Sequence, residues 1–520
     1  MGSDFKRTLM WVILCAACFM LWDNWQVYNG QPSFFGGSAT QTAQTQEPQP
    51  SADAVPDNKG SGAEAVAKGL IQASKPIEVS NDLLKLNIDE QGAVVTRAEL
   101  LKEQQQAEWT DVGLAGLILG NKVPHLKNIV MLDVTPNHVY VAQSGLIGGD
   151  FPNHKSAFKF LGTKVEKKLD AEQKKEVNFT TATFESTQGP VTLRKTYELA
   201  DGRYAVFVRN EVINNGEAAV KPSIYYQITR DDAKPEGEST FYYTYNGPAI
   251  YTSEDKFQKV PFDDIGDQPD HITKADNGWV AMIQHYFITA WTDTKGDTSK
   301  REREFYTTKL DKNLFAVGSI QRLGTIEPKQ SATASALLYI GPQDQQRLQY
   351  LADGLELVVD YGWLTFLAKP IYSVLYFLYG LVGNWGWSIV LLTCLVKAIL
   401  YPISAAGYKS MARMKEIGPR MKALQEQYGE DKQRYQQAMM ELYRKEKINP
   451  VGGCLPILLQ IPVFLALYWV LLASVELRGS AWIGWVTDLA SPDPWFILPA
   501  IMMLTMFLQI KLNPKPADAM

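Results

Sequence analysis

Between Cys18 and Cys394 the 520-residue chain has no cysteine. The four it has, Cys15, Cys18, Cys394 and Cys454, lie in or beside apolar segments, so a disulfide framework is excluded for the long middle. Basic residues are not in excess: 51 Lys and Arg face 56 Asp and Glu, a net charge of −5. No global basic field points to nucleic acid. The pattern G-x-x-x-x-G-K-[ST] is missing, which excludes a nucleotide motor of the P-loop kind. The five histidines (His125, His138, His154, His271, His285) lack metal-ligand spacing, and there is no serine-centred elbow or paired-cysteine motif. What remains for such a chain is binding and solvation, without bond-breaking.

Apolar residues are present in quantity, but they gather at the N-terminus and in the last third. Lys6 and Arg7 precede an apolar stretch from about Thr8 to Trp22 with Trp25 and Tyr28 at interface depth. No A-x-A cleavage site follows, so residues 1–30 read as an uncleaved transmembrane anchor with a cytoplasmic N-terminus. Residues 31–76, rich in Gln, Thr, Ala, Ser and Pro, read as a disordered linker, because they bury too little apolar surface to offset their ordering entropy. Residues 77–350 alternate in short runs such as "VTLRKTYEL" and "YAVFVRNEV". Period-two runs of β-branched and aromatic residues predict half-buried antiparallel strands, and so many of them predict a large β-sandwich.

Residues 351–520 change character. Residues 361–382 read as an amphipathic helix along the interface. Membrane spans are expected at about 387–403, 454–475 and 495–510, with a helical hairpin at 405–448 between the first two. Tyr408–Lys447 holds about ten Lys and Arg against about six Asp and Glu, whereas the loop from Val475 to Pro494 has Arg478 alone against three acids. The positive-inside rule puts the hairpin in the cytoplasm and the loop outside. Lys6 and Arg7 then place residues from about 31 to 360 outside as well. The chain is thus a polytopic α-helical membrane protein with a large all-β outside domain.

Within "WSIVLLTCLVKAILYPI" stands Lys397. A charge at the centre of a membrane helix costs about 2.5–3.5 kcal/mol on insertion scales. Snorkelling to the inner headgroups accounts for it equally well. Thr393 lies four residues earlier on the same face. Gln460, about 10 Å into the next span, comes to a similar depth. A polar pocket open to the cytoplasm would join the three, although Gln460 alone is commonly helix–helix glue. In the hairpin, Met411, Met414 and Met421 recur at helical spacing, as do Tyr435, Met439 and Leu442 beyond a break at "YGED". These methionines either pack the two arms together or offer an adaptable apolar surface to client segments.

"GNWGWSIVLLTCLVKAILYPIS", "EDKQRYQQAMMELYRKEKINP" and "NPVGGCLPILLQIPVFLALYWVL" closely resemble the YidC/Oxa/Alb insertase family. "YVAQSGL", "GWVAMIQHYFITAW" and "VDYGWL" resemble its Gram-negative form, whose outside domain is periplasmic. The resemblance implies a β-supersandwich and a five-span core enclosing a hydrophilic groove open to cytoplasm and lipid. In it Lys397 takes the position of the groove's basic residue, Thr393 and Gln460 line the groove, and the hairpin receives clients. It also implies insertion and folding of nascent inner-membrane proteins, alone or with the Sec translocon (SecYEG and SecDF). The ribosome and membrane lipids are the further partners, with no cofactor, no nucleotide hydrolysis and no nucleic-acid substrate. Only three core spans precede "KLNPKPADAM", so truncation before the last two is expected. Two rivals are a transporter, which would need inverted repeats and acidic partners in the spans, and a sugar-modifying enzyme, which would need converging carboxylates and imidazoles.

Overall fold

The computed structural model describes residues 54–56, 63–73, 76–106, 126–170, 173–235, 244–266, 273–293, 302–429, 431–446, 455–493 and 495–512. The anchor at 1–30 and most of the linker lie outside the described residues. The last part of that linker corrects the reading of disorder. Ala63–Ala73 is a helix, α1, with Val66 and Ala67 buried against Val94, Val139, Val141 and Leu314. Its few apolar residues share one helical face, a local pattern that an average over the polar segment conceals.

Eighteen strands follow among the described residues. They are β1 (Pro76–Ser80), β2 (Leu84–Asp89), β3 (Val94–Gln106), β4 (Leu126–Thr135), β5 (His138–Ile147), β6 (Lys159–Asp170), β7 (Lys175–Gln188), β8 (Val191–Ala200) and β9 (Ala205–Asn214). The second half comprises β10 (Ser223–Asp231), β11 (Gly247–Thr252), β12 (Lys256–Lys259), β13 (Thr273–Ala275), β14 (Gly278–Ile283), β15 (Phe287–Thr292), β16 (Arg303–Asp311), β17 (Leu314–Arg322) and β18 (Ser331–Pro342). They form two nine-stranded sheets, in the orders β1-β2-β3-β4-β5-β10-β17-β16-β13 and β12-β11-β14-β15-β18-β9-β8-β7-β6. Neighbouring strands pair antiparallel, as the alternating runs predict.

The two sheets share one apolar core that includes Ile224, Tyr226 and Ile228 from one and Val206, Val208 and Trp291 from the other. Each such side chain taken out of water contributes about 1.5–3 kcal/mol. Polar cross-links fix the sheets' offset: Tyr197 OH donates to the Ala93 carbonyl at 2.6 Å, and Trp291 Nε1 to that of Gln227 at 3.1 Å. Lys195, fully buried in β8, donates to the carbonyls of Gly92 and Ser144, each at 2.7 Å.

The exit from β18 is tightly specified. Asp344 caps α2 (Gln345–Leu351) by accepting from the amides of Gln346 and Arg347. Gly354 then takes a left-handed turn at φ 73°, and a Cβ there would lie 2.4 Å from the Tyr251 ring. Two short turns, Leu355–Val358 and Gly362–Leu364, lead into α3 (Thr365–Val382). Its buried residues Ala368, Ile371, Tyr372 and Leu375 make one stripe at i, i+3, i+4 and i+7.

After Gly383 and Asn384 comes α4 (Trp385–Glu416), a helix of 32 residues, or about 48 Å. It continues through the expected boundary between span and hairpin at 403–405 with Pro402 inside it, whose missing amide costs one hydrogen bond without ending the helix. The break falls instead at Ile417, where Gly418-Pro419 begins α5 (Gly418–Tyr428). The return arm is α6 (Lys432–Lys445), capped by Asp431 and tied at its base by an Arg420–Glu446 ion pair. Two further apolar helices are α7 (Leu455–Ala473) and α8 (Ile497–Leu512). By length and composition, Gly362–Val382 and Trp385–Lys409 could cross a membrane, and Leu458–Ala473 and Ile497–Leu512 are shorter apolar helices.

Candidate client-binding site between two helices

The site residues lie on α4 and α7, which run antiparallel. Lys397 projects from α4 so that Nζ stands 5.0 Å from the centroid of the Phe464 ring on α7. Seven residues further along α4, Ser404 accepts a hydrogen bond from Gln460 Nε2 at 2.9 Å. Lys397 and Ser404 are two turns apart on one face of α4, while Gln460 and Phe464 are one turn apart on one face of α7. The result is a ladder with two rungs, one cationic and aromatic, one polar. Lys397 is exposed beside its ring and Gln460 is half-buried, so the charge remains open to an incoming group.

Of the three residues read from the sequence, the structure brings Lys397 and Gln460 to this facing surface. It does not bring Thr393 into contact with either. The Thr393 hydroxyl donates to the Ile389 carbonyl of its own helix at 2.8 Å, the usual local bond for a threonine in a helix. Ser404 and Phe464 were the partners that sequence reading missed. Both had a signal, since they stand at i+7 from Lys397 and i+4 from Gln460.

In the hairpin, Met421 on α5 and Met439 on α6 are half-buried, and Met440 is exposed. Met411 and Met414 belong to the last turns of α4, and their side chains lie outside the described residues. The four methionines therefore sit on three successive helices, because the first arm is divided into α4 and α5 at Gly418-Pro419. Their partial burial suits packing between arms as well as an accessible apolar surface.

The histidines in the described residues are engaged structurally. His138 pairs with Asp231 at 2.9 Å, His154 Nδ1 is 2.5 Å from the Tyr225 hydroxyl, and His285 Nε2 is 3.1 Å from the Leu472 carbonyl. Burial pushes the pKa of His154 down to about 3, with Lys155 and Lys195 adding to the effect.

Two family descriptions cover most of this chain and meet within α3. Residues 76–374 match "YidC periplasmic domain", and residues 377–520 match "60Kd inner membrane protein". This is the class the architecture defines: an inner-membrane protein carrying a large all-β domain ahead of its apolar helices. The chain is 45% identical to a membrane protein insertase YidC of Bordetella pertussis, a match covering 99% of this chain and 90% of that relative. It is 44% identical to the Ralstonia nicotianae insertase and 43% to that of Cupriavidus necator, again over 99% of its length, covering 90% and 89% of those relatives. The chain belongs to the YidC family of membrane protein insertases. Its function is membrane protein insertion, which makes it a chaperone-like insertase and not an enzyme. A solved galactose mutarotase related enzyme from Lactobacillus acidophilus is 10% identical, covering 51% of this chain and 97% of its own, at a TM-score of 0.31. Likeness at that level has no bearing on function.

Proposed function

We propose that the α4–α7 face is one wall of a hydrophilic groove that receives the polar part of a client while its apolar segment moves into lipid. The supporting observation is the Lys397 ammonium held over Phe464 with the Gln460–Ser404 pair one to two turns away. A translocated polar segment would otherwise cross hydrocarbon, where each unsatisfied group costs several kcal/mol. A cation and an amide held partway into the membrane shorten the dry path and favour acidic client segments. No fuel is needed, because burial of the client helix supplies roughly 25 cal/mol per Å².

In this reading α4, α7 and α8 span the inner membrane, residues from about 31 to 360 are periplasmic, and α5 and α6 are cytoplasmic. With α4 entering from outside, α3 begins and ends on the periplasmic side and lies along the interface, as its single buried stripe suits. Clients are nascent membrane proteins, handed over by the ribosome, alone or beside SecYEG and SecDF.

The test is a photocrosslinking residue at Gln460 in the full-length protein, challenged with ribosome-held nascent chains. Length-dependent crosslinks are expected, and Lys397→Leu should slow insertion of clients with acidic translocated segments while folding is retained. Absence of crosslinks while clients still insert would reduce the polar pair to helix packing.

A further inference from the structure

We infer that the periplasmic β-domain positions α7, the groove-wall helix, through a latch formed by His285 and Arg478. The inference rests on the groove reading for its consequence, although the latch itself is a matter of geometry.

The last carbonyls of any helix have no partner within it. In α7 the Val470 carbonyl is taken by the amide and hydroxyl of Ser474, at 3.1 and 2.6 Å. The Leu472 carbonyl is met from another part of the chain, by His285 Nε2 at 3.1 Å. His285 lies in the turn between β14 and β15, so a β-domain side chain caps a groove helix. Burial, reinforced by Arg478, lowers the His285 pKa to about 4, although the Leu472 carbonyl pulls the other way. The ring is therefore neutral at pH 7, and a carbonyl partner requires the proton on Nε2.

Arg478 closes the latch from the other side. It is the sole basic residue between Val475 and Pro494. Its Nη2 donates to the Gln104 carbonyl of β3 at 3.3 Å, and its guanidinium lies 5.1 and 5.4 Å from the Tyr286 and Phe287 rings. A cation just beyond a helix C-terminus also meets the negative end of the helix dipole. At the cytoplasmic end the same helix is held by Gln460 and Ser404. Between the two attachments stands Pro462, which has no amide to give the Leu458 carbonyl. The helix is weakest beside Gln460, so the lean of its upper half is set by what holds its top. The β-domain is part of what holds it, alongside the packing of α7 against α3 and α4, and the lean of α7 sets the groove's width.

The experiment compares the full chain in lipid nanodiscs with His285→Ala/Arg478→Ala and with His285→Gln, whose amide can still donate. Loss of the latch should speed hydrogen exchange of residues 466–473 by about two- to tenfold, the factor expected for one lost hydrogen bond. Crosslinking of nascent chains at Gln460 should fall, exchange in β5 and β10 should stay unchanged, and His285→Gln should restore both readouts. Unchanged exchange in α7 overturns the latch. Faster exchange with undiminished crosslinking overturns its role in the groove. If the wild-type protein itself gives no crosslink at Gln460, the groove reading fails, and the exchange arm still decides whether the β-domain positions α7.

Discussion

Single residues here carry costs that only their partners explain. Lys195 is buried in the β-domain without a carboxylate, held by two carbonyls and lying 4.8 Å from the Phe158 ring centroid. Burial lowers its pKa to about 7 from the usual 10.5. The unfolded chain therefore binds more protons than the folded one between those two values, so stability rises with pH across that window. Melting temperatures at pH 7, 8 and 9 should climb more steeply for the wild type than for Lys195→Met. Equal slopes would mean that the ammonium is solvated in the folded state. Between α4 and α7, Gln460→Leu and Ser404→Ala should be non-additive by about 0.5–1.5 kcal/mol in a double-mutant cycle, as one shared hydrogen bond requires. An additive pair would leave the two residues uncoupled. Lys397 and Gln460 were legible in the sequence because a polar group stands out against an apolar run. Thr393 stood out in the same way, yet its hydroxyl can be satisfied by its own helix, and nothing local distinguishes the two outcomes.

At the scale of elements, helix ends are decided by a few atoms. Asp431 accepts from the amides of Gln433 and Arg434 at 3.1 Å. Asp431→Ala should destabilise α6 by about 0.5–2 kcal/mol, read as faster exchange at the start of that arm with α5 less affected. The N-terminal end of α4 is set differently. Asn384 accepts from the Trp387 amide, and Gly386 admits Trp482 so closely that a Cβ would lie 2.3 Å from its ring. Gly386→Ala should therefore cost about 1–3 kcal/mol, the usual penalty for overpacking, and lower the melting temperature of the full chain. An unchanged value would show that the loop at Trp482 yields freely. Strands such as β7 and β8 were legible because burial on one face imposes a period of two, whereas β10 and β15, expected to be half-buried, are buried on both faces and show only as β-branched and aromatic runs. The passage of α4 through residues 403–405 was not legible, since Pro402 signals a helix end locally, yet a helix can absorb one missing amide and continue.

Across the whole molecule, one apolar core passes from the strands into the helices. It includes Val206 and Trp291 in the sheets, Leu348, Leu355 and Leu364 in the connection, and Leu375, Ala466 and Val470 beyond. Leu364 is 1% exposed, and Leu364→Ala should cost about 2–5 kcal/mol. Exchange should rise both in α3 and at the adjoining ends of β14 and β15, and a response confined to α3 would mean that the two regions unfold separately. Glu476 adds a pH dependence to this joint. Burial raises its pKa to about 7, against the opposing hydrogen bond donated by Tyr372 at 2.6 Å. The folded protein holds this proton more tightly than the unfolded chain, so stability falls as pH rises from 4.5 to 7, and Glu476→Gln should flatten that decline.

The sequence by itself determined the antiparallel β-domain, the apolar helices, the charged hairpin and the prominence of Lys397 and Gln460 against their apolar surroundings. Each of these follows from local composition or from a short period, which burial and solvent impose directly on the chain. Tertiary structure decided that Lys397 meets Phe464, that Gln460 meets Ser404, and that His285 caps a helix 187 residues away. Such pairings depend on the rotation and offset of packed elements, and those are fixed by the fit of whole surfaces rather than by any local pattern.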